Sequence, residues 1–350
     1  MNRIIIADIG SVSYAGGPTG HCFAVAQNYL DMFKQHDEIV VAGGPIYQHK
    51  FSANLLQLPY NHVIGESKLK EKWHELMNCC TLFKQVRSED ILIMQSIALV
   101  TAYMGIILFL HKPCRLFFIQ YNTESISNPI KRILWKMVTS KVHGIITTFP
   151  SVALAYKKPY ILIPDYVYTD DQPTSFPSFD ERKYDICMLG HIYRDKGVVE
   201  ALRHLIGKGL KIVVAGKVGE PDLEPEIRDL VKEDKDIELY IGYLPDETYH
   251  AYLANSKYCM LNYRGSYNEH SSGVVYESLF HGTPVLATKT MSTKMINEYK
   301  LGISFDNVTE LDTSRLFNSA RYEECQLRIS QYLLQQREII IQLSQFVHKV

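Results

Sequence analysis

The residues best suited to chemistry lie between positions 262 and 287, NYRGSYNEHSSGVVYESLFHGTPVLA, where Glu269 and Glu277 stand with seven residues between them. The loop holding Glu269 is polar and turn-rich. Glu277 sits a turn into a helix, because Val274, Val275, Leu279 and Phe280 recur at helical spacing until Gly282, Thr283 and Pro284 stop the run. Both carboxylates are expected to point into one crevice. Between them Ser271, Ser272 and Gly273 leave backbone N–H groups at a helix N-terminus, where the partial positive charge suits a phosphate. Carboxylates accept hydrogen bonds from vicinal hydroxyls, so a ligand carrying hydroxyls and phosphate satisfies the segment. A nucleotide sugar is such a ligand. On spacing alone, a solvated loop charge and a surface helix glutamate remain the alternative.

This segment resembles the signature of family 4 glycosyltransferases, retaining enzymes of the GT-B fold in which a Glu-x7-Glu element is followed by a Gly-x-Pro-Val turn and strand. The matching residues are Glu269, Glu277, Gly282, Pro284 and Val285. The resemblance continues upstream through GHIYRDKG at 190–197, VVAG at 213–216 and YIGYL at 240–244. It covers residues 184–306 well and the first half in outline. It implies that Glu277 takes the ribose hydroxyls and Glu269 the donor-sugar hydroxyls next to the reacting carbon, with Tyr263, Ser271, Ser272 and Gly273 lining the same pocket.

The 190–197 segment leaves a strand and enters a helix, so its backbone N–H groups and basic side chains suit a diphosphate. The family places an Arg after the first Gly, here Gly190, and a Lys before the second. Lys196 matches. His191 stands where the Arg is expected, and Arg194 is the candidate for the missing charge. A plain strand-to-helix connection with a solvated lysine is the alternative. Tyr243, at a strand end where the family reads the base, is a candidate to stack on it, against ordinary packing.

In the first half, SYAGGPTG at 13–20 allows close backbone approach at Gly16 and Gly17, and Pro18 suits a first helical turn. The loop lacks GxGxxG spacing, so no dinucleotide site is expected. In the family it meets the donor phosphate and the acceptor. Relatives often carry a His near the sugar in the loop after 116–120, which here reads QYNTE; Asn122 or Tyr121 is the candidate in its place. The expected catalytic set is therefore Glu269, Lys196, Arg194 and Asn122. The Asp-Lys-Asp at 234–236 fits a metal-binding pattern, but a charge-rich turn is expected to be solvated. Neither metal nor cofactor beyond the nucleotide-sugar donor is expected, the basic groups acting as electrophile for the leaving diphosphate.

A chain of 350 residues, 46% hydrophobic and 21% charged, can bury the cores of two domains. Its net charge of −1 gives no general attraction to nucleic acid or anionic lipid. The seven cysteines show no CxxC spacing, which favours reduced thiols in a cytosol. The N-terminus runs straight into a strand and does not read as a signal peptide. The apolar run 91–110 is long enough to span a membrane, but Gln95 and Ser96 and a strand-then-helix pattern favour core elements.

Strand-like runs at 3–8, 38–42, 54–58, 90–94, 116–120, 144–147 and 160–164 alternate with helical segments, as do those at 184–189, 211–215, 237–241, 258–261, 284–287 and 302–305. Such alternation predicts parallel sheets covered on both faces, with ligands at the C-terminal strand ends. The expected fold is α/β, GT-B, with two Rossmann-like domains facing across a crevice. Residues 1–168 form the acceptor-side domain, 169–183 the linker, 184–329 the donor-side domain, and 330–350 a helix crossing back to the first. Within 129–141, Ile130, Ile133, Leu134, Met137 and Val138 form an apolar stripe, while Lys131, Arg132, Trp135 and Lys136 form a basic face suited to a membrane surface or lipid diphosphate, or simply to solvent. Lys68, Lys70 and Lys72 beside Trp73 would extend it.

The reading that follows is a glycosyltransferase moving a sugar from a nucleotide-diphosphate donor to a hydroxyl, with retention as the resemblance implies. A lipid-linked or polysaccharide acceptor at the inner, cytoplasmic face of a membrane would fit. A sugar-nucleotide epimerase of related architecture and a silent nucleotide-sugar-binding protein are the alternatives. No nucleic-acid partner is expected.

Overall fold

The computed structural model describes residues 3–12, 21–35, 38–62, 65–95, 100–170, 175–232, 234–265 and 272–349. It divides into two units, residues 1–169 with 338–350, and residues 170–337.

Short runs of branched apolar residues with no polar alternation suit strands buried on both faces. In the first unit these are β1 (Ile4–Ala7), β2 (Ile39–Gly43), β3 (Leu55–Gln57), β4 (Ile91–Met94), β5 (Arg115–Gln120), β6 (Val142–Thr147) and β7 (Tyr160–Leu162). They form one parallel sheet in the order β3-β2-β1-β4-β5-β6-β7. The intervening helices are α1 (His21–Met32), the short α2 (Gln48–Phe51), α3 (Lys68–Gln85), α4 (Val100–Phe109), α5 (Pro129–Val138) and α6 (Pro150–Tyr156). β1 and β4 are wholly buried. Their N-terminal ends are joined by Arg3, whose guanidinium donates to Asp90 Oδ2 at 2.7 Å inside the protein. The run 91–110 resolves into β4 and α4, as a strand-then-helix reading expects. Among the described residues no helix is long and apolar enough to cross a membrane.

The second unit repeats the plan. Strands β8 (Tyr184–Leu189), β9 (Ile212–Gly216), β10 (Ile237–Ile241), β11 (Ser256–Leu261), β12 (Val285–Thr288) and β13 (Gly302–Phe305) form a parallel sheet in the order β10-β9-β8-β11-β12-β13. Its helices are α7 (Val198–Leu205), α8 (Leu223–Val231), α9 (Asp246–Ala254), α10 (Gly273–Phe280) and α11 (Lys294–Glu298). The order reverses between β8 and β11, the kind of switch point at which ligands bind outside the carboxyl ends of the strands. The last helix, α12 (Ser319–Lys349), starts in the second unit, and its final residues belong to the first. There Phe346 stacks at a tilt on Phe117, and Arg115 Nη1 donates to the His348 carbonyl at 2.8 Å.

One expectation about α5 is corrected. Trp135 is not on an exposed basic face; it is buried among Tyr103, Phe118 and Tyr156. The inward stripe is the buried Trp135 and Val138 with the half-buried Lys131 and Leu134, the Lys131 ammonium donating to the Glu124 carbonyl at 3.1 Å. Ile130, Ile133 and Met137 are exposed instead, beside Arg132 and Lys136. Both stripes have helical spacing, and the core takes the one carrying the indole, whose ring packs on Tyr103, Phe118 and Tyr156.

Candidate functional site

α10 is held at both ends. At its C-terminus Gly282 takes the left-handed conformation (φ 64°), its N–H donating to Leu279 O and that of Thr283 to Ser278 O, a terminating motif that Gly fits at no steric cost. The buried Arg182 then donates to the carbonyls of His281 (3.0 Å), Gly282 (3.1 Å) and Ser256 (2.7 Å) and to Thr283 Oγ1 (2.7 Å). At its N-terminus the buried Ser272 hydroxyl bonds the Tyr263 hydroxyl at 2.7 Å rather than capping the helix, and the Val275 N–H donates to the Ser272 carbonyl at 3.3 Å, so no side chain caps the first-turn N–H groups.

From α10 the Glu277 side chain meets α9, where the Tyr249 hydroxyl donates to Glu277 Oε2 at 2.5 Å. Burial first, and then the Glu277 charge, push the Tyr249 phenol well above its ordinary range, so it stays a donor. Glu277 also acts on Lys196. Lys196 closes the 3-10 turn Arg194–Lys196 after β8, and its Nζ lies about 3.7 Å from where a side chain on Gly190 would begin. Loss of solvent around the ammonium lowers its pKa to about 8, against the pull of Cys259 and Glu277. The turn is fixed to β11 by Gly197 (φ 62°). A Cβ there would lie 2.2 Å from the Asn262 carbonyl, and Asn262 Nδ2 donates to Gly197 O at 2.9 Å.

His191 is exposed next to this group. Burial of its ring nitrogens, then Lys196 and Lys217, hold it below the usual imidazole range, so at pH 7 it is neutral and offers hydrogen bonds rather than charge. Arg194, expected to supply the missing cation, is committed elsewhere: it pairs with Asp222 at 2.7 Å, Glu226 at 3.1 Å and Glu220 at 3.6 Å. Three carboxylates on and before α8 hold the guanidinium toward that helix. The cation that sequence reasoning missed is Lys217. It follows β9, and the pairing of Ile192 with Val218 past the strand ends carries it beside His191. Its position directly after the strand run VVAG was the available signal.

Tyr243 is exposed, and its carbonyl accepts from the Tyr240 hydroxyl at 3.0 Å. Its ring is open to a ligand or to water. Asp234 and Asp236 form a turn in which Asp234 Oδ1 accepts from the Asp236 N–H, and among the described residues no group of three His, Cys, Asp or Glu could hold a metal ion. Gly16, Gly17, Glu269 and Ser271 lie outside the described residues.

In the first unit Asn122 is a turn residue: its Oδ1 accepts from the Glu124 N–H at 2.9 Å, and its carbonyl accepts from the Tyr156 hydroxyl. Beside it lies a group of which the sequence singled out only Tyr121. His21, the first residue of α1, meets Tyr121 edge-on at 5.0 Å, and its Nδ1 is 3.3 Å from the Tyr166 hydroxyl. Asp165 acts on both His21 and Tyr121, and accepts from Thr148. A histidine opening the helix after a Gly-Gly loop was the clue.

No family model matches the chain, and no curated protein matches its sequence. Solved structures do match in fold. The E. coli trehalose-6-phosphate protein bound with UDP-2-fluoro glucose is 10% identical with a TM-score of 0.67, covering 100% of both chains. AviGT4, a glycosyltransferase involved in avilamycin A biosynthesis, is 14% identical at 0.61, covering 100% of this chain and 99% of its own. A UDP-forming alpha,alpha-trehalose-phosphate synthase from Burkholderia xenovorans in complex with glucose-6-phosphate is 12% identical at 0.64, covering 97% and 99%. The chain therefore has the GT-B fold of these glycosyltransferases.

Proposed function

We propose that the chain is a glycosyltransferase that moves a sugar from a nucleoside-diphosphate donor to a hydroxyl. The observation that carries this reading is the placement, at the switch point of the second sheet, of the half-buried Lys196 beside the backbone of Gly190 and within electrostatic reach of the Glu277 carboxylate. In that arrangement Glu277 takes the ribose hydroxyls, and Tyr249 holds the carboxylate in place. Lys196 and Lys217 face the diphosphate, with His191 adding a neutral hydrogen bond. When the glycosidic bond breaks, negative charge grows on the leaving phosphate, and preorganised cations lower the barrier most where charge develops. Ser272, Gly273 and Tyr263 line the same end of α10, and Tyr243 is open to stack on a base.

Glu269 and Ser271, on the donor sugar, and the Gly16-Gly17 loop keep the roles the resemblance gives them. Catalysis is metal-independent and proceeds with retention. In the first unit we assign the acceptor's contacts to Tyr121, His21 and Tyr166 rather than to the Asn122 side chain, whose oxygen already closes a turn. The UDP-forming character of the structural neighbours favours a uridine donor. The exposed Ile130, Ile133 and Met137 beside Arg132 and Lys136 support peripheral contact with a membrane, and with it a lipid-linked or polysaccharide acceptor on the cytoplasmic side.

A thermal-shift panel of nucleoside diphosphates and nucleotide sugars tests the reading, because a ligand at about a hundred times its dissociation constant stabilises the folded state by roughly 2.7 kcal/mol. A shift with one base, followed by release of that nucleoside diphosphate when acceptors are added, is the expected result. Conversion of the donor alone to an isomer would indicate an epimerase. A shift without turnover under any acceptor would indicate a binding protein.

A further inference from the structure

At the outer edge of the second sheet lies a cleft of about 350 Å³ that the transfer reaction does not use. It is bounded by the first residues of β13, the end of α11 and the first turns of α12. Because all six strands are parallel, this is the opposite end of the sheet from Gly190 and Lys196. Arg321, Cys325 and Arg328 recur along one face of α12, and Lys300 and Arg315 close the cleft from the other side.

The charges do not cancel. Arg315 pairs with Asp312 at 3.3 Å, and Arg328 with Glu324. Arg321 and Lys300 have no carboxylate within ion-pair distance among the described residues, and the four cations face one lining carboxylate, Glu324. β13 is an edge strand. Val285 N–H donates to Leu301 O and Lys289 N–H to Phe305 O, so the alternate residues Gly302 and Ser304 turn their backbone groups outward into the cleft. Unpaired cations beside open backbone donors, in a volume at the lower end of small-ligand sites, fit a compact anion that carries its own hydroxyls.

We propose that this cleft binds a small phosphate monoester, with Arg321 and Lys300 on the phosphate and Asn297 and Glu324 available to its hydroxyls. It is a second ligand site, independent of the nucleotide end of the sheet. Simple guarding of an edge strand by positive charge is the competing explanation, and it predicts no ligand.

Cys325 lines the cleft and reports on it directly. The full chain is alkylated with neutral iodoacetamide, and the rate at each cysteine is followed by mass spectrometry, with half-buried Cys80 of the first unit as internal reference. Glycerol 3-phosphate and inorganic phosphate are the probes, and glycerol is the uncharged control. Protection of Cys325 but not Cys80 by both phosphates, lost in the double variant Lys300→Gln/Arg321→Gln, is the expected result. Calorimetric affinity for glycerol 3-phosphate should fall about tenfold or more in that variant, as loss of two charge-assisted hydrogen bonds requires. Both substitutions are at surface cations without carboxylate partners, so folding is retained. Absence of protection by either phosphate, or equal protection in wild type and variant, overturns the proposal; the latter would place the ligand elsewhere.

Discussion

The Tyr249 hydroxyl donates to the Glu277 carboxylate at 2.5 Å, joining α9 to α10 across the carboxyl end of the second sheet. A carboxylate meant for ribose must be held in one rotamer before the ligand arrives, and this bond does so from a phenol that burial keeps protonated. Tyr249→Phe removes the donor and little volume. Hydrogen bonds to charged groups contribute about 1.5 to 3 kcal/mol, and Glu277 is only half-buried, so affinity for the nucleoside diphosphate should fall about tenfold. Unaltered affinity would remove Tyr249 from the site.

Lys196 gives the site a pH dependence. Its pKa of about 8 leaves the ammonium mostly charged at pH 7 and mostly neutral at pH 9. A diphosphate binds the charged form, so affinity should be flat below pH 7 and fall by up to about tenfold per unit well above pH 8. The stability of the unliganded protein should run the other way. An unfolded lysine holds its proton to about pH 10.4, so between about 8 and 10.4 the unfolded state binds more protons and Lys196 makes stability rise with pH. Titrations of wild type and Lys196→Gln check both, and the variant should lose the pH dependence of binding.

The cations near the turn should separate by function. Lys217→Gln removes charge beside His191 and should weaken nucleotide binding several-fold. Arg194→Gln breaks pairs with Asp222, Glu226 and Glu220 and should lower thermal stability with little change in affinity. The reverse pattern, measured by calorimetry and thermal melts, would restore Arg194 to the diphosphate.

Most strands were legible because branched apolar runs such as residues 4–7, 91–94 and 212–216 carry no polar alternation. Buried parallel sheet is the element that demands this. The end of α10 was equally plain from Gly282 and Pro284. Side-chain direction was less so. Arg194 and Lys217 are both basic residues near a strand end, and only the fold shows one facing α8 and the other facing His191. The face of α5 was misread for a similar reason, since sorting residues by type put Trp135 with the lysines, whereas sorting by position puts it with Leu134 and Val138. His21, Tyr121 and Tyr166 come from three distant segments, so no local pattern could group them.

Arg182 should be a stability residue with functional reach. It donates to His281 O, Gly282 O and Thr283 Oγ1 at the end of α10 and to Pro177 O, Leu253 O and Ser256 O beside it, and lies 5.7 Å from the Tyr322 ring centre. Arg182→Met removes the donor from buried acceptors such as the Ser256 and His281 carbonyls, while the Gly282 carbonyl keeps its bond from Gln326 Nε2; at about 1 to 3 kcal/mol for each group left unpaired, a loss of about 3 kcal/mol or more is expected in denaturant melts. A loss under about 1 kcal/mol would show that water replaces the guanidinium without difficulty.

The carboxyl end of the second sheet should bind a nucleoside diphosphate through Glu277 and Lys196. Calorimetry on folded wild type and Glu277→Ala, with the nucleoside diphosphate that the thermal-shift panel selects, decides this. Tight binding to the wild type and a loss of at least about tenfold in the variant are expected, on the scale of hydrogen bonds to a charged group. Equal affinity in the two proteins would contradict the ribose assignment and move the nucleotide away from α10.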